Sequence, residues 1–299
     1  YEQFRFPISS RLGKGLRTAQ IGALHAIAAH FSADDAPALI TMPTGSGKTA
    51  VLTGAPFLLR SSRVLVITPS VMVRSQIHEE FAGLATLKSA EALPNSIQSP
   101  HVKELRGIPR SVEKWEELRV VDVVVSTPNC VRIGLEDRPS PPPDLFDLIL
   151  IDEAHHSPAR TWSAIPTHFI HARVILFTAT PYRRDRKEIR AKYIFNYSVK
   201  RAYDEGIFGK LHFVPVEIEL GESGDEAIAR SAEQELRADQ RQGYDHALMV
   251  RTKTKKRARE LHALYAQHTS LRLALVTSDE SPSQIREILG KLSSGVLDG

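Results

Sequence analysis

The sequence predicts an α/β fold built on a parallel sheet, and three observations lead there. Short aliphatic runs recur along the first two thirds of the chain. Stretches with helical spacing separate them. A glycine-rich loop follows the first run and opens a helix. The runs are 38–41, 64–67, 120–125, 148–151 and 174–177. They are continuous rather than alternating, as strands covered by helices on both faces are. Between them, 16–31 has apolar residues at 16, 21, 24, 27, 28 and 31, one face of a helix. Residues 161–170 are ambiguous because Pro166 limits a helix there.

A second, shorter series follows. Residues 247–250 read as a strand. Residues 254–267 read as a helix with Ala258, Leu261, Leu264 and Tyr265 on one face. Residues 273–276 read as a strand and 281–292 as a helix. Gly206, Gly209, Pro215, Gly221 and Gly224 lie between the two series and mark a junction. The expected organisation is a first domain over 1–200, a linker over 201–215 and an incomplete second domain over 216–299. Residues 139–143 form a stiff proline-rich loop, and 90–109 read as irregular.

Composition narrows the classes. The 299 residues are 42% hydrophobic and 25% charged, close to the globular average, which excludes disorder, collagen and coiled coil. No apolar run is long enough to span a membrane. The chain starts at Tyr1 without an initiating Met or a basic-then-apolar leader, and reads as a trimmed segment. Cys130 is the single cysteine, so an internal disulfide and a cysteine-based zinc site are excluded, and a cytoplasmic location is expected. The net charge of +4 permits a polyanion partner without requiring one.

Three motifs carry chemistry. Met42-Pro43-Thr44-Gly45-Ser46-Gly47-Lys48-Thr49 stands between a strand and a helix. Glycines there let backbone N–H groups approach phosphate oxygens, and a helix N-terminus adds positive potential. Thr44, Gly45, Ser46, Gly47, Lys48 and Thr49 are the candidate nucleotide ligands, with Lys48 on the phosphates and the Thr49 hydroxyl on magnesium. Met42 occupies the position where the strict pattern has glycine. Asp152-Glu153-Ala154-His155-His156 follows the fourth strand. Asp152 is the second candidate magnesium ligand, and Glu153 is the candidate base for an attacking water. His155 is a candidate hydrogen-bonding link to the γ-phosphate. Thr178-Ala179-Thr180 ends the next strand, and its hydroxyls are expected to bond the acidic motif and report nucleotide state.

In this order, with Thr68-Pro69-Ser70 and Ser126-Thr127-Pro128 between them, the motifs resemble the first motor domain of superfamily 2 helicases. The DEAHH sequence, TATPYRRD and 197–215 resemble bacterial DEAH-type DNA motors, including restriction translocases and repair helicases. The resemblance implies two RecA-like domains, ATP with magnesium in the cleft between them, and a nucleic-acid strand across both. It also implies that Arg17 and Gln20 sit where adenine is read, a task that suits an amide able to donate and accept. The family's arginine finger is expected beyond residue 299, since no arginine follows Arg286.

The expected activity is an ATP-dependent helicase or translocase acting on DNA rather than RNA. Two alternatives stand beside it. One is the motor of a restriction or anti-phage complex, with defence or repair partners and its nuclease elsewhere. The other is a nucleotide-gated clamp without productive turnover. Thr68, Ser126, Thr127, Arg183, Arg184 and Arg251 are the candidate nucleic-acid contacts, because hydroxyls after strands and clustered cations grip phosphates without reading bases.

Overall fold

The computed structural model describes residues 2–9, 14–135, 137–153, 159–180, 191–209 and 212–299, without the side-chain surroundings of 159–163 and 282. The chain divides into two compact units, 1–210 and 211–299.

The first unit is a seven-stranded sheet of order β3-β4-β2-β5-β6-β1-β7, with every pairing parallel. The strands are β1 Ala38–Thr41, β2 Val64–Ile67, β3 Val102–Glu104, β4 Val123–Ser126, β5 Leu148–Ile151, β6 Arg173–Thr178 and β7 Lys192–Asn196. Its helices are α1 Thr18–Phe31, α2 Lys48–Leu59, α3 Val71–Gly83, α4 Ala85–Ser89, α5 Val112–Glu116, α6 Ala159–His168 and α7 Val199–Asp204. Every residue of β1, β2, β4 and β5 is buried. Alternate positions serve opposite faces. Ile40, Val64, Val66, Leu148, Leu150, Ile175 and Phe177 join one core with α1 and α2. Leu39, Leu65, Ile67, Ile149, Ile151, Val174 and Leu176 join the other with Trp115, Phe146 and Phe169. Two-sided burial of a period-2 element is why the runs read as continuous.

The structure differs from the sequence reading in places. Val120 ends a 3-10 turn, and the strand there is 123–126. Helix α6 forms with Pro166 inside it. Strands β3 and β7 lie at the sheet edges with half-exposed patterns, so they lack the aliphatic run that marks the inner strands. The proline-rich loop is tied down by the Trp115 indole N–H to the Pro139 carbonyl (3.0 Å) and by His168 Nε2 to the Pro141 carbonyl (2.6 Å). The unit boundary falls at 210/211, inside the stretch read as a linker, and α7 belongs to the first unit with Ala202 fully buried.

The second unit holds α8 Gly224–Arg241, α9 Lys255–His268 and α10 Pro282–Ser293. Helix α8 starts on a capping box made by Ser223 and Glu226. Ala229, Leu236, Tyr265 and Leu271 form its small core. Among the described residues of this unit there is no strand. The segments read as strands at 247–250 and 273–276 instead meet the last residues through isolated bonds. Leu248 N–H donates to the Asp298 carbonyl (2.9 Å), Asp298 N–H to the Arg272 carbonyl (2.8 Å) and Ala274 N–H to the Gly299 carbonyl (2.9 Å). These bonds do not extend into a ladder. No helix of the described residues is long and apolar enough to cross a membrane.

Candidate functional site

The site lies where β1 and β5 end, at the carboxyl edge of the parallel sheet, where open α/β sheets hold ligands. The loop after β1 turns on Gly45 (φ 83°) and Gly47 (φ 90°), a left-handed conformation that glycine adopts without a Cβ clash. The Ser46 hydroxyl is buried and donates back to the Pro43 carbonyl (2.6 Å), which closes the loop on itself. Gly47 caps α2, so Lys48 and Thr49 begin the helix and its unpaired N–H groups face the loop.

Lys48 reaches across the sheet. Its ammonium bonds the Glu153 carboxylate and lies 3.9 Å from Asp152 Oδ1. All three side chains are mostly buried, at 12%, 20% and 14% exposure. Burial pushes the Asp152 carboxyl up from the ordinary value; Lys48 opposes the shift and Glu153 adds to it. Glu153 holds φ at 49°, a left-handed value that costs a non-glycine residue about 1 kcal/mol or more. Its own N–H donates to Asp152 Oδ1 (3.0 Å), and the Asp152 N–H donates to the Ile67 carbonyl (2.8 Å). The turn is therefore held by β2 as well as by β5.

The loop at the end of β6 meets this turn through its backbone. Ala179 N–H points at Glu153 Oε2 (3.5 Å). The Thr178 hydroxyl donates to the Thr180 carbonyl (2.9 Å) and accepts from the Thr180 N–H (3.1 Å). The amide between the two threonines is thus one contact from this loop to the acidic turn; residues 154–156 of the motif, which the hydroxyls are also expected to meet, lie outside the described residues.

Gln20 also serves the loop. Its Nε2 donates to the Gly47 carbonyl (3.2 Å), and its Oε1 accepts the Arg17 N–H (2.7 Å). A Cβ on Gly47 would overlap the Gln20 amide. Arg17 donates from Nη1 to the Gly45 carbonyl (2.9 Å). Phe208, just before the unit boundary, lies against Gly45 from another side. A cleft of about 720 Å³ opens here, lined by Arg17, Gln20, the loop, Thr49 and α4. Neither Phe208 nor α4 was visible as a site element in the sequence, because their approach to the loop is a long-range contact.

The donor set suits magnesium and phosphate. Thr49 and Asp152 offer hard oxygen donors, Lys48 offers a cation, and the glycine turns leave room for close approach. Among the described residues, no group of three or more histidine, cysteine, aspartate or glutamate side chains forms a metal cluster by itself.

Of the residues expected to touch nucleic acid, Thr68, Ser126 and Thr127 lie together at the ends of β2 and β4. The Thr68 hydroxyl is buried and donates to the Ser126 carbonyl (3.1 Å). The Ser126 hydroxyl donates to the Thr127 carbonyl (3.1 Å), and the Thr127 hydroxyl contacts the Cys130 sulfur (3.4 Å). The Thr68 hydroxyl ties the end of β2 to β4, and the other two hydroxyls brace the turn after β4. His155, Arg183 and Arg184 lie outside the described residues. Arg251 is exposed in the second unit. Much of the cation run after it is paired: Lys255 and Arg259 with Asp279, and Arg257 with Asp225 and Glu260.

Among solved structures, the chain is similar to a hypothetical ATP-dependent RNA helicase from Sulfolobus tokodaii, at 19% identity and a TM-score of 0.44, over 95% of this chain and 77% of that one. It is also similar to the UvsW helicase from bacteriophage T4, at 14% identity and a TM-score of 0.41, over 60% of this chain and 57% of that one. No curated protein sequence matches it. Residues 13–183, more than half of the chain, match the family model described as type III restriction enzyme, res subunit, and the chain therefore belongs to this family of the ATP-dependent helicase and translocase type.

Proposed function

We propose that this chain is the ATP-hydrolysing part of a nucleic-acid motor that acts on DNA by translocation or unwinding. The observation that carries the reading is the Lys48 ammonium drawn against Glu153 and Asp152 at the mouth of a glycine loop. In this reading Lys48 leaves the carboxylates for the β- and γ-phosphates of ATP. The loop N–H groups from Gly45 to Thr49 bind phosphate oxygens. Glu153, released from Lys48, accepts a proton from the attacking water. Thr49 and Asp152 would hold magnesium, which when bound neutralises charge on the phosphate oxygens. His155, Thr178 and Thr180 pass nucleotide state to the rest of the motor. Arg251, Arg183 and Arg184 contact nucleic-acid phosphates, and Thr68, Ser126 and Thr127 shape that face. Residues 216–299 are the N-terminal part of a second RecA-like domain.

A second reading is the motor of a restriction complex whose nuclease lies elsewhere. The name of the matched family favours it.

The test is an ATPase assay with single-stranded DNA, duplex DNA and RNA, with Lys48→Ala as control. DNA stimulation that Lys48→Ala abolishes is the expected result. Stimulation by duplex alone favours the restriction motor. RNA stimulation without a DNA response overturns the choice of DNA. Tight nucleic-acid binding with nucleotide but no turnover would make the chain a clamp.

A further inference from the structure

The cleft beside the phosphate loop has a wall that the mechanism above does not use. Helix α4 and the residue that caps it supply it: Ala85, Thr86, Ser89 and Ala90 line the same cavity as Gly45, Gly47, Lys48 and Thr49. The helix is anchored from behind. Leu84 and Leu87 are fully buried in the core. The Thr86 N–H donates to a Glu80 carboxylate oxygen (2.8 Å). Just beyond the helix, the Arg5 N–H donates to the Ala92 carbonyl (2.8 Å) and Lys14 pairs with Glu91 (3.0 Å). With Leu84 and Leu87 turned inward, helical spacing leaves 85, 86, 89 and 90 on the open side. Two of these are small, which leaves space, and two carry hydroxyls. Among the described residues neither hydroxyl makes a hydrogen bond.

The other candidate for reading the nucleoside is already engaged. The Gln20 amide is almost wholly buried and spends one donor on Gly47 and one acceptor site on Arg17. Its first use here is to hold the loop. A nucleotide with its phosphates on the loop extends its sugar and base along the cavity, whose volume of about 720 Å³ is in the usual range for such ligands.

We propose that Thr86 and Ser89 form a sugar-recognition subsite and that their hydroxyls select ribonucleoside over deoxyribonucleoside triphosphates. The proposal rests on the nucleotide-binding reading above. Hydroxyls suit a ribose because each side both donates and accepts, so either direction of bonding works. The edge of a base has fixed donors and acceptors and would ask for an amide or backbone groups.

The test uses the full chain, with and without Thr86→Val and Ser89→Ala, and measures Kd for ATP, 2′-deoxy-ATP, 3′-deoxy-ATP and ADP. The wild-type chain should favour ATP over at least one deoxy analogue by about fivefold, the worth of one neutral hydrogen bond. In the double variant that preference should fall to about one, while the ATP-to-ADP ratio stays unchanged. A preference that survives in the double variant overturns the subsite, as does its absence from the wild type. If the wild type binds none of these nucleotides, the nucleotide-binding reading fails first and this one falls with it. Should the double variant fold poorly by circular dichroism, Ala85→Leu provides an independent arm, since Ala85 is exposed and tolerates a larger side chain. It should weaken ATP and leave inorganic triphosphate binding unchanged. Equal ATP affinity in that variant would remove α4 from the site.

Discussion

Gly47→Ala puts the construction of the phosphate loop to a direct test. Gly47 holds φ at 90°, which costs an alanine about 1–2 kcal/mol. Its new Cβ would overlap the Gln20 amide. The clashing atom is the end of the Gln20 side chain, which lines the cleft and can swing aside, but only by giving up its bonds. Moving it breaks its bonds to the Gly47 carbonyl and the Arg17 N–H, at about 1 kcal/mol each. The sum is about 3–4 kcal/mol. For a unit of this size, about 2–4 °C accompanies each kcal/mol, so the first unit should melt about 10 °C lower. Differential scanning calorimetry of the full chain reads this directly. Gly83→Ala is the control. Gly83 ends α3 with nothing near its missing Cβ, and alanine there should be neutral or stabilising by up to about 1 kcal/mol. If Gly47→Ala melts with the control, Gln20 does not brace the loop and the account of the turn is wrong.

Three other outcomes follow from the same geometry. Glu153→Gln should keep ATP binding and slow hydrolysis by about 10²–10⁴-fold; joint loss of affinity and turnover would make Glu153 a structural residue or a ligand. Trp115→Ala removes a side chain with 0% exposure and its bond to Pro139, and should destabilise the first unit by about 3–5 kcal/mol in urea unfolding, whereas Trp115→Phe should lose much less. Asp298 is held well below the ordinary carboxylate range by its bonds to Arg272 and Arg237, against burial that would raise it. Its stabilisation is present above the unfolded value of 3.8 and is lost as pH falls through 3.8 toward the lower folded value. Asp298→Asn should therefore cost about 2 kcal/mol in the second unit at pH 7, and the gap from wild type should close in acid; an equal gap at pH 7 and pH 3 would refute the pairing.

Much of the sheet and the placement of the candidate site were legible in one dimension. Five inner strands announced themselves because burial on both faces leaves only aliphatic residues. The loop from Met42 to Thr49 and the Asp152-Glu153 pair stood at strand ends, where spacing along the chain already implies proximity to the sheet's carboxyl edge. Local rules, a two-sided strand and a strand-loop-helix order, were enough for those features.

Tertiary structure decided the rest. Strands β3 and β7 escaped notice because an edge strand is half wet and needs no aliphatic run. The amide of Ala179 points at Glu153 and the Thr178 hydroxyl bonds the Thr180 backbone, contacts set by the course of the chain at the end of β6. The Gln20 amide, Phe208 and α4 converge on one glycine loop from separate parts of the chain. In the second unit the residues read as strands stay unpaired as ladders, since a strand exists only where a neighbour runs beside it. Periodicity reports how a segment is buried. Which distant segment buries it is settled by packing in three dimensions.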